Sequence, residues 1–350
     1  MKIKQALCFD DVLLVPKHSS IKSRKEIDLA SKLKNLDGLT FHLPIVSSPM
    51  DTVTGSEMAA AMSKAGGLGI IHRYNTIAIQ MDLIEQAFSH GAEVVGVAVG
   101  VAGDYADRAS CAVRCGAQVI CVDIAHGHHT LMERALKSIK DAYGNDIHVM
   151  AGNVATEEGF SQLARWGADS VRVGIGGGSI CSTRIQTGHG VPTFQSILDC
   201  VESQYFGNVE LIADGGIRNS GDIVKAYAAG ADFVMLGSLL AGTDESPGDI
   251  VNYVEMQGDR QVYRDYKVYR GMASVEAQID WRGHSSSVEG VTTTLPIKGP
   301  VDDILASLEN GIRSGLSYSG ARTVADLYNV AEFILQSSAG GVESSPHILK

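Results

Sequence analysis

Cysteine is scarce in this chain: six residues in 350, Cys8, Cys111, Cys115, Cys121, Cys181 and Cys200. They form no CxxC pair, so neither a zinc ribbon nor a disulfide framework is indicated. A reduced, cytoplasmic protein is the expectation. Long hydrophobic runs are missing too. None reaches the roughly 18 residues of a membrane span, and the N-terminus turns acidic at Asp10 and Asp11 before a secretory segment develops. Positive charge is in deficit, with 29 Lys and Arg against 40 Asp and Glu and a net charge of −11. That sign argues against nonspecific nucleic-acid or membrane binding, while leaving room for a local phosphate site.

What is present is a repeated α/β pattern. Eight short apolar runs recur at 43–48, 68–72, 94–99, 119–124, 148–153, 170–174, 211–216 and 233–238. Amphipathic, Ala-rich stretches such as Ser56–Ala65, Ile77–His90, Tyr105–Cys115 and Ser220–Ala229 lie between them. Gly91, Gly116, Gly167 and Gly230 precede the following run, as glycines that end helices do. Buried strands alternating with helices imply a parallel sheet, and eight units suggest a (β/α)8 TIM barrel. One barrel would span 1–350, with residues 1–42 as an N-terminal cap, 243–300 as a lid and 337–350 as a tail. A final helix over about 324–336 would close the ring.

In such a barrel the chemistry sits where the strands end. The ends carry Ser48, His72, Asp123, Asn153, the loop Gly174–Arg184, Asp214 and Ser238. The Gly-rich loop can bring backbone N–H groups to an anion. A lone cysteine is more often a small core residue, but Cys181 at the lip of that loop, before Ser182, Thr183 and Arg184, reads as a nucleophile. The ends at Gly215, Gly216, Gly237 and Ser238 suit a phosphate, with hydroxyls from Ser179 and Tyr269. Asp214 would repel phosphate and better suits ribose hydroxyls, which donate to a carboxylate. The histidines of 126–129 have poor metal-ligand spacing. Glu289 gains a proton-transfer role only if the lid folds over Cys181.

These motifs resemble the IMP dehydrogenase/GMP reductase family over nearly the whole chain. The landmarks are Phe9–Pro16, Ser47–Thr54, Gly66–His72, Ala151–Thr156, Gly174–Arg184, Ala213–Ile217 and Tyr269–Met272. The resemblance implies a purine nucleoside monophosphate held by Ser48, Met50, Ser179, Asp214, Gly216, Gly237, Ser238, Tyr269, Gly271 and Met272. Arg172 and Gly215 are counted as further substrate contacts. It also implies attack by Cys181 on C2 of the purine, with Thr183 close by and Glu289 contacting the base. A nicotinamide cofactor, NADPH or alternatively NAD, would lie at Asp123, Ile124, Ala125 and Asn153. Potassium would sit on carbonyls of Gly176, Gly178 and Cys181, in a homotetramer.

The chain departs from both branches of the family. The short connection after Arg73 leaves no room for the CBS modules of most dehydrogenases. The dehydrogenase lid carries an Arg-Tyr pair whose Arg activates water. Between Met272 and Glu289 this chain offers only Trp281-Arg282-Gly283. The ending Ser338–His347 and the Tyr269–Met272 motif lean instead toward the dehydrogenase. The weight falls on a GMP reductase. The alternatives are a compact IMP dehydrogenase with Arg282 as base, and a nucleotide-binding sensor without turnover.

Overall fold

Eight parallel strands close on themselves in the computed structural model, which describes residues 3–257, 260–286 and 288–344. They are β1 Ile45–Ser47, β2 Leu68–Ile71, β3 Gly96–Val99, β4 Val119–Asp123, β5 His148–Val154, β6 Ser170–Val173, β7 Glu210–Asp214 and β8 Phe233–Leu236. β1 pairs with both β2 and β8, which completes the (β/α)8 barrel. The strands are buried on both faces, so they read as continuous apolar runs. Their inward residues, among them Val46, Ile70, Met150, Ile212 and Phe233, fill the barrel. Leu33, Leu36 and Phe41 of the N-terminal segment pack against that filling, with Phe41 edge-on to Phe233 at 5.5 Å.

Helices occupy the gaps, and side chains fix their starts. Thr76, Thr156 and Asn219 accept from the backbone N–H groups of Ile79, Gly159 and Asp222. Each cap satisfies a donor that the first turn leaves open. Helices Ser56–Lys64, Ile77–Ser89, Tyr105–Arg114 and Ser220–Ala228 fall within a residue of the expected bounds.

The C-terminal expectation needs correction. The helix begun at Val324 stops at Val330, because Ala331 turns extended at φ −61°, ψ 141°. Phe333–Leu335 then forms a short strand antiparallel to Val12–Leu14. The ring is closed instead by the helix Val301–Ser319, which packs against Ser56–Lys64 and Ser220–Ala228. Ser338–Glu343 is a short helix, and residues 345–350 of the tail lie outside the described residues.

The insertion after β8 has its own small architecture. β9 Ile250–Gln257, β10 Arg260–Arg270 and β11 Thr292–Pro296 form an antiparallel sheet, and the helix Val275–Arg282 lies between the last two. Lys267 of β10 is buried and donates to the carbonyls of Thr243, Asp244 and Ser246. Three carbonyls around one ammonium satisfy its donors and tie the insertion to the barrel end.

Candidate active site

The loop after β6 is shaped by contact with β7. Gly174 has φ +148°, and a Cβ there would fall 1.9 Å from the Asp214 carbonyl oxygen. Any side chain would push the two strand ends apart. The loop turns back at Gly178, whose carbonyl accepts from the Cys181 N–H. Cys181 emerges exposed, just before the short helix Thr183–Thr187.

The lid meets this loop edge to edge. Ser182 N donates to the Glu289 carbonyl over 2.9 Å, and Val291 N donates to the Ile180 carbonyl over 3.1 Å. Cys181 and Gly290 thereby form an antiparallel bridge. The pairing delivers Glu289 to the cysteine. The Cys181 thiol donates to Thr183 Oγ1 at 3.2 Å, and the Thr183 hydroxyl donates to Glu289 Oε2 at 2.7 Å. Thiol, hydroxyl and carboxylate form a continuous path for a proton.

These groups open onto a cleft of about 330 Å³ at the C-terminal ends of the strands. Apart from Arg282, every residue singled out in the sequence as substrate, cofactor, potassium or catalytic contact lines it, from Ser48 after β1 to Glu289 in the lid. At one end a Cβ at Gly237 would fall 3.2 Å from Tyr269 Oη and 3.5 Å from both Met50 Sδ and Ser48 Oγ, so a side chain there would crowd the Tyr269 hydroxyl. Tyr269 Oη also lies 3.4 Å from Ser179 Oγ. Burial pushes the Tyr269 phenol up, so it stays neutral and can donate to an anion. Lys298 donates to the carbonyls of Ser238 and Leu239 beside this end.

At the other end stand Asp123, Ile124, Ala125 and Asn153, with Arg73 and Tyr74. Between the ends Arg172 lies buried. It donates to Asp214 Oδ2 (3.2 Å), Asp123 Oδ1 (2.9 Å), Cys121 Sγ (3.1 Å) and Asn153 Oδ1. Asn153 Nδ2 in turn donates to Asp214 Oδ2 at 2.8 Å. Burial pushes the Asp123 carboxyl upward, but Arg172 and Arg73 outweigh it and hold it below the usual range. Burial likewise pushes the Cys121 thiol up to about 11, which leaves it neutral.

A family model described as IMP dehydrogenase/GMP reductase domain matches residues 6–347. The chain belongs to this family. Its sequence is 35% identical to an inosine-5'-monophosphate dehydrogenase of Nitrosopumilus maritimus, covering 99% of each chain. It is 30% identical to a GMP reductase of Leishmania major, covering 99% of this chain and 97% of that one. The N. maritimus alignment runs over 482 positions against 350 residues here, so that relative carries sequence with no counterpart in this chain. A crystal structure of a cysteine-to-alanine variant of Trypanosoma brucei GMP reductase, in complex with guanosine 5'-monophosphate, superposes at TM-score 0.89. It is 30% identical, and the match covers 99% of this chain and 98% of that one.

Within this IMP dehydrogenase/GMP reductase framework, the structure adds to what the sequence said of two residues. Arg172, taken as a substrate contact, spends most of its donors on Asp214, Asp123, Asn153 and Cys121. It lines the cleft as well as holding these groups. His72, picked out as a strand end, is buried outside the lining, and burial pulls its imidazole down to about 4. Sequence reasoning missed Arg73 and Tyr74, which follow it. Tyr74 stacks on Trp281 of the lid at 4.2 Å and 13°, with Arg73 5.4 and 5.5 Å from the two ring centres. The rule that strand ends carry chemistry applied to this pair as well as to His72. No ring of three or more metal-binding side chains occurs among the described residues, the 126–129 histidines included. Among them no helix is long and apolar enough to cross a membrane.

Proposed function

We propose that this chain is a GMP reductase, converting GMP to IMP and ammonia at Cys181. The observation that carries this reading is the place of Arg282. Its guanidinium lies 5.4 Å from the Trp281 ring and donates to Gln278 Oε1, outside the cleft lining. Among the described residues the lid therefore brings Glu289, and no arginine of its own, to the cleft lining. The thiol proton passes through the Thr183 hydroxyl to Glu289, and the thiolate adds to C2 of the purine. Ammonia leaves C2 as Thr183, backed by Glu289, returns the proton to the departing nitrogen. Asp214 takes the ribose hydroxyls, and the Gly216, Gly237, Ser238 and Tyr269 end takes the phosphate.

Asp123 and Asn153 suit a nicotinamide nucleotide, since a carboxylate accepts from ribose hydroxyls and the Tyr74 ring offers an apolar face. When bound, reduced nicotinamide would supply a hydride to C2, the carbon–sulfur bond would then break to give IMP and the Cys181 thiolate, and NADPH is the assigned donor. Arg172 and Arg73 hold the Asp123 carboxylate ionised for that contact. Potassium on the carbonyls of Gly176, Gly178 and Cys181 and a homotetramer belong to the same reading. Exchange of K⁺ for Na⁺ in the assay and light scattering test them.

A second reading, a compact IMP dehydrogenase using NAD, is favoured by the Tyr269-Arg270-Gly271-Met272 motif and the N. maritimus relative. Absorbance at the nicotinamide band separates the two. Loss of NADPH with GMP supports the reductase, whereas NADH formed with IMP overturns it. Nucleotide binding with neither turnover would make the protein a sensor.

A further inference from the structure

A charged bridge lies behind the nucleotide loops and takes no part in the chemistry above. Asp51 follows Met50, and Arg270 stands between Tyr269 and Gly271, so both adjoin residues assigned to the nucleotide. Arg270 Nε and Nη2 donate to Asp51 Oδ2 over 2.9 and 2.7 Å. Arg270 N donates to Thr52 Oγ1 over 3.2 Å, and Asp51 N donates to Met272 Sδ over 3.3 Å. The Asp51 side chain is 8% exposed and its second oxygen is buried without a partner, so its neutralisation rests on Arg270. The remaining nitrogen, Nη1, reaches Asp280 Oδ2 at 2.5 Å on the lid helix Val275–Arg282. The next residue on that helix is Trp281, stacked on Tyr74.

We propose that Arg270 is a positioning residue that couples the two nucleotide loops to the lid helix. This rests on the nucleotide reading of the cleft. A guanidinium carries donors on two edges of one rigid plane, so it can hold Asp51 and Asp280 at once. The two arms differ in strength. Asp51 is shielded from water, whereas Asp280 is 64% exposed and screened. The inner arm keeps loop 50–52 in place for the base, and the outer arm releases readily, as a lid requires.

Three variants test this by hydrogen exchange of residues 275–282, free and with GMP or IMP, alongside nucleotide affinity and kinetics. Asp280→Asn, on an exposed side chain that folding does not need, speeds lid-helix exchange about two- to fivefold. It leaves nucleotide Kd within about twofold. Arg270→Lys keeps a cation for Asp51 and loses the outer arm, so it loosens the lid with nucleotide KM within about threefold of the parent. Arg270→Gln loses both arms and raises nucleotide KM about tenfold or more. Unchanged lid exchange in Asp280→Asn and Arg270→Lys overturns the proposal, as does an Arg270→Lys KM as poor as that of Arg270→Gln. If neither GMP nor IMP binds, the functional reading falls and takes the nucleotide half with it. Exchange in the free protein still decides the lid half.

Discussion

Thr183 donates its hydroxyl to the Glu289 carboxylate over 2.7 Å, although the two residues are 106 positions apart. The contact exists because residues 180–182 and 289–291 pair as strands, joining the cysteine loop to the lid. The pairing that places the lid therefore also sets the hydrogen bond between Thr183 and Glu289.

Cys181→Ala abolishes turnover, measured as NADPH oxidation with GMP. It leaves nucleotide affinity within about threefold, because the phosphate and ribose contacts lie elsewhere in the cleft. Retained activity would remove Cys181 from the mechanism.

Thr183→Val and Glu289→Gln each lower kcat by about 10²–10⁴, the range of a positioned acid–base group. The double variant loses little more than the worse single, since the two act in series. Additive losses would mean two independent roles.

Arg172→Met leaves Asp123 and Asp214 without their shared cation, whose side chain is 7% exposed. Removing one partner from such a cluster costs about 3–5 kcal/mol of stability. Urea unfolding checks this. The Michaelis constants for nucleotide and cofactor rise together, because Arg172 touches the carboxylate assigned to each.

Arg282→Ala keeps GMP turnover within about threefold, since its guanidinium only covers Trp281 and bonds Gln278. A loss of about a hundredfold or more would assign it a catalytic role and favour the dehydrogenase.

Glu210, at the start of β7, accepts from Lys34 N through Oε1 while Oε2 is buried without a partner. Burial pushes its carboxyl up to about 7, and Asp232 adds to the rise. The folded state thus binds more protons than the unfolded chain between about pH 4.5 and 7. This contribution to stability is full below that window and is lost as pH rises through it. Glu210→Gln raises Tm at pH 8 and changes it little at pH 5. His148 runs the other way: burial pulls it down to about 4, so its contribution is lost as pH falls from 6.5 toward 4. An equal Tm gain for Glu210→Gln at both pH values would show that ionisation is not the cause.

The barrel was legible because its strands are buried on both faces and glycines end its helices. Those are local signals, readable within a dozen residues. The strand-end residues of the cleft were legible because a closed barrel sends those ends to one face, so eight short runs already imply their neighbourhood, whereas Met50, Gly271 and Met272 came only with the family resemblance. The segment at 324–336 misled because its apolar spacing suits a helix, whereas pairing with Val12–Leu14 rewards a strand at Phe333–Leu335. Pairings between distant segments leave no mark on either partner's local pattern. Tyr74 and Trp281 show it, as do Arg270 and Asp280 across a lid turn.

The amino-acid sequence by itself determined the architecture, the family resemblance and Cys181 as the candidate nucleophile, since periodicity, turn glycines and motif residues are properties of short stretches. Only the tertiary structure decided that Arg172 bonds Asp214, Asp123 and Asn153 while lining the cleft, that His72 is buried outside the cleft, and that Arg282 turns away while Glu289 turns in. Those outcomes depend on which charges and hydrogen-bonding groups a folded chain brings within about 3 Å of one another. Burial then sets the protonation state that each can hold.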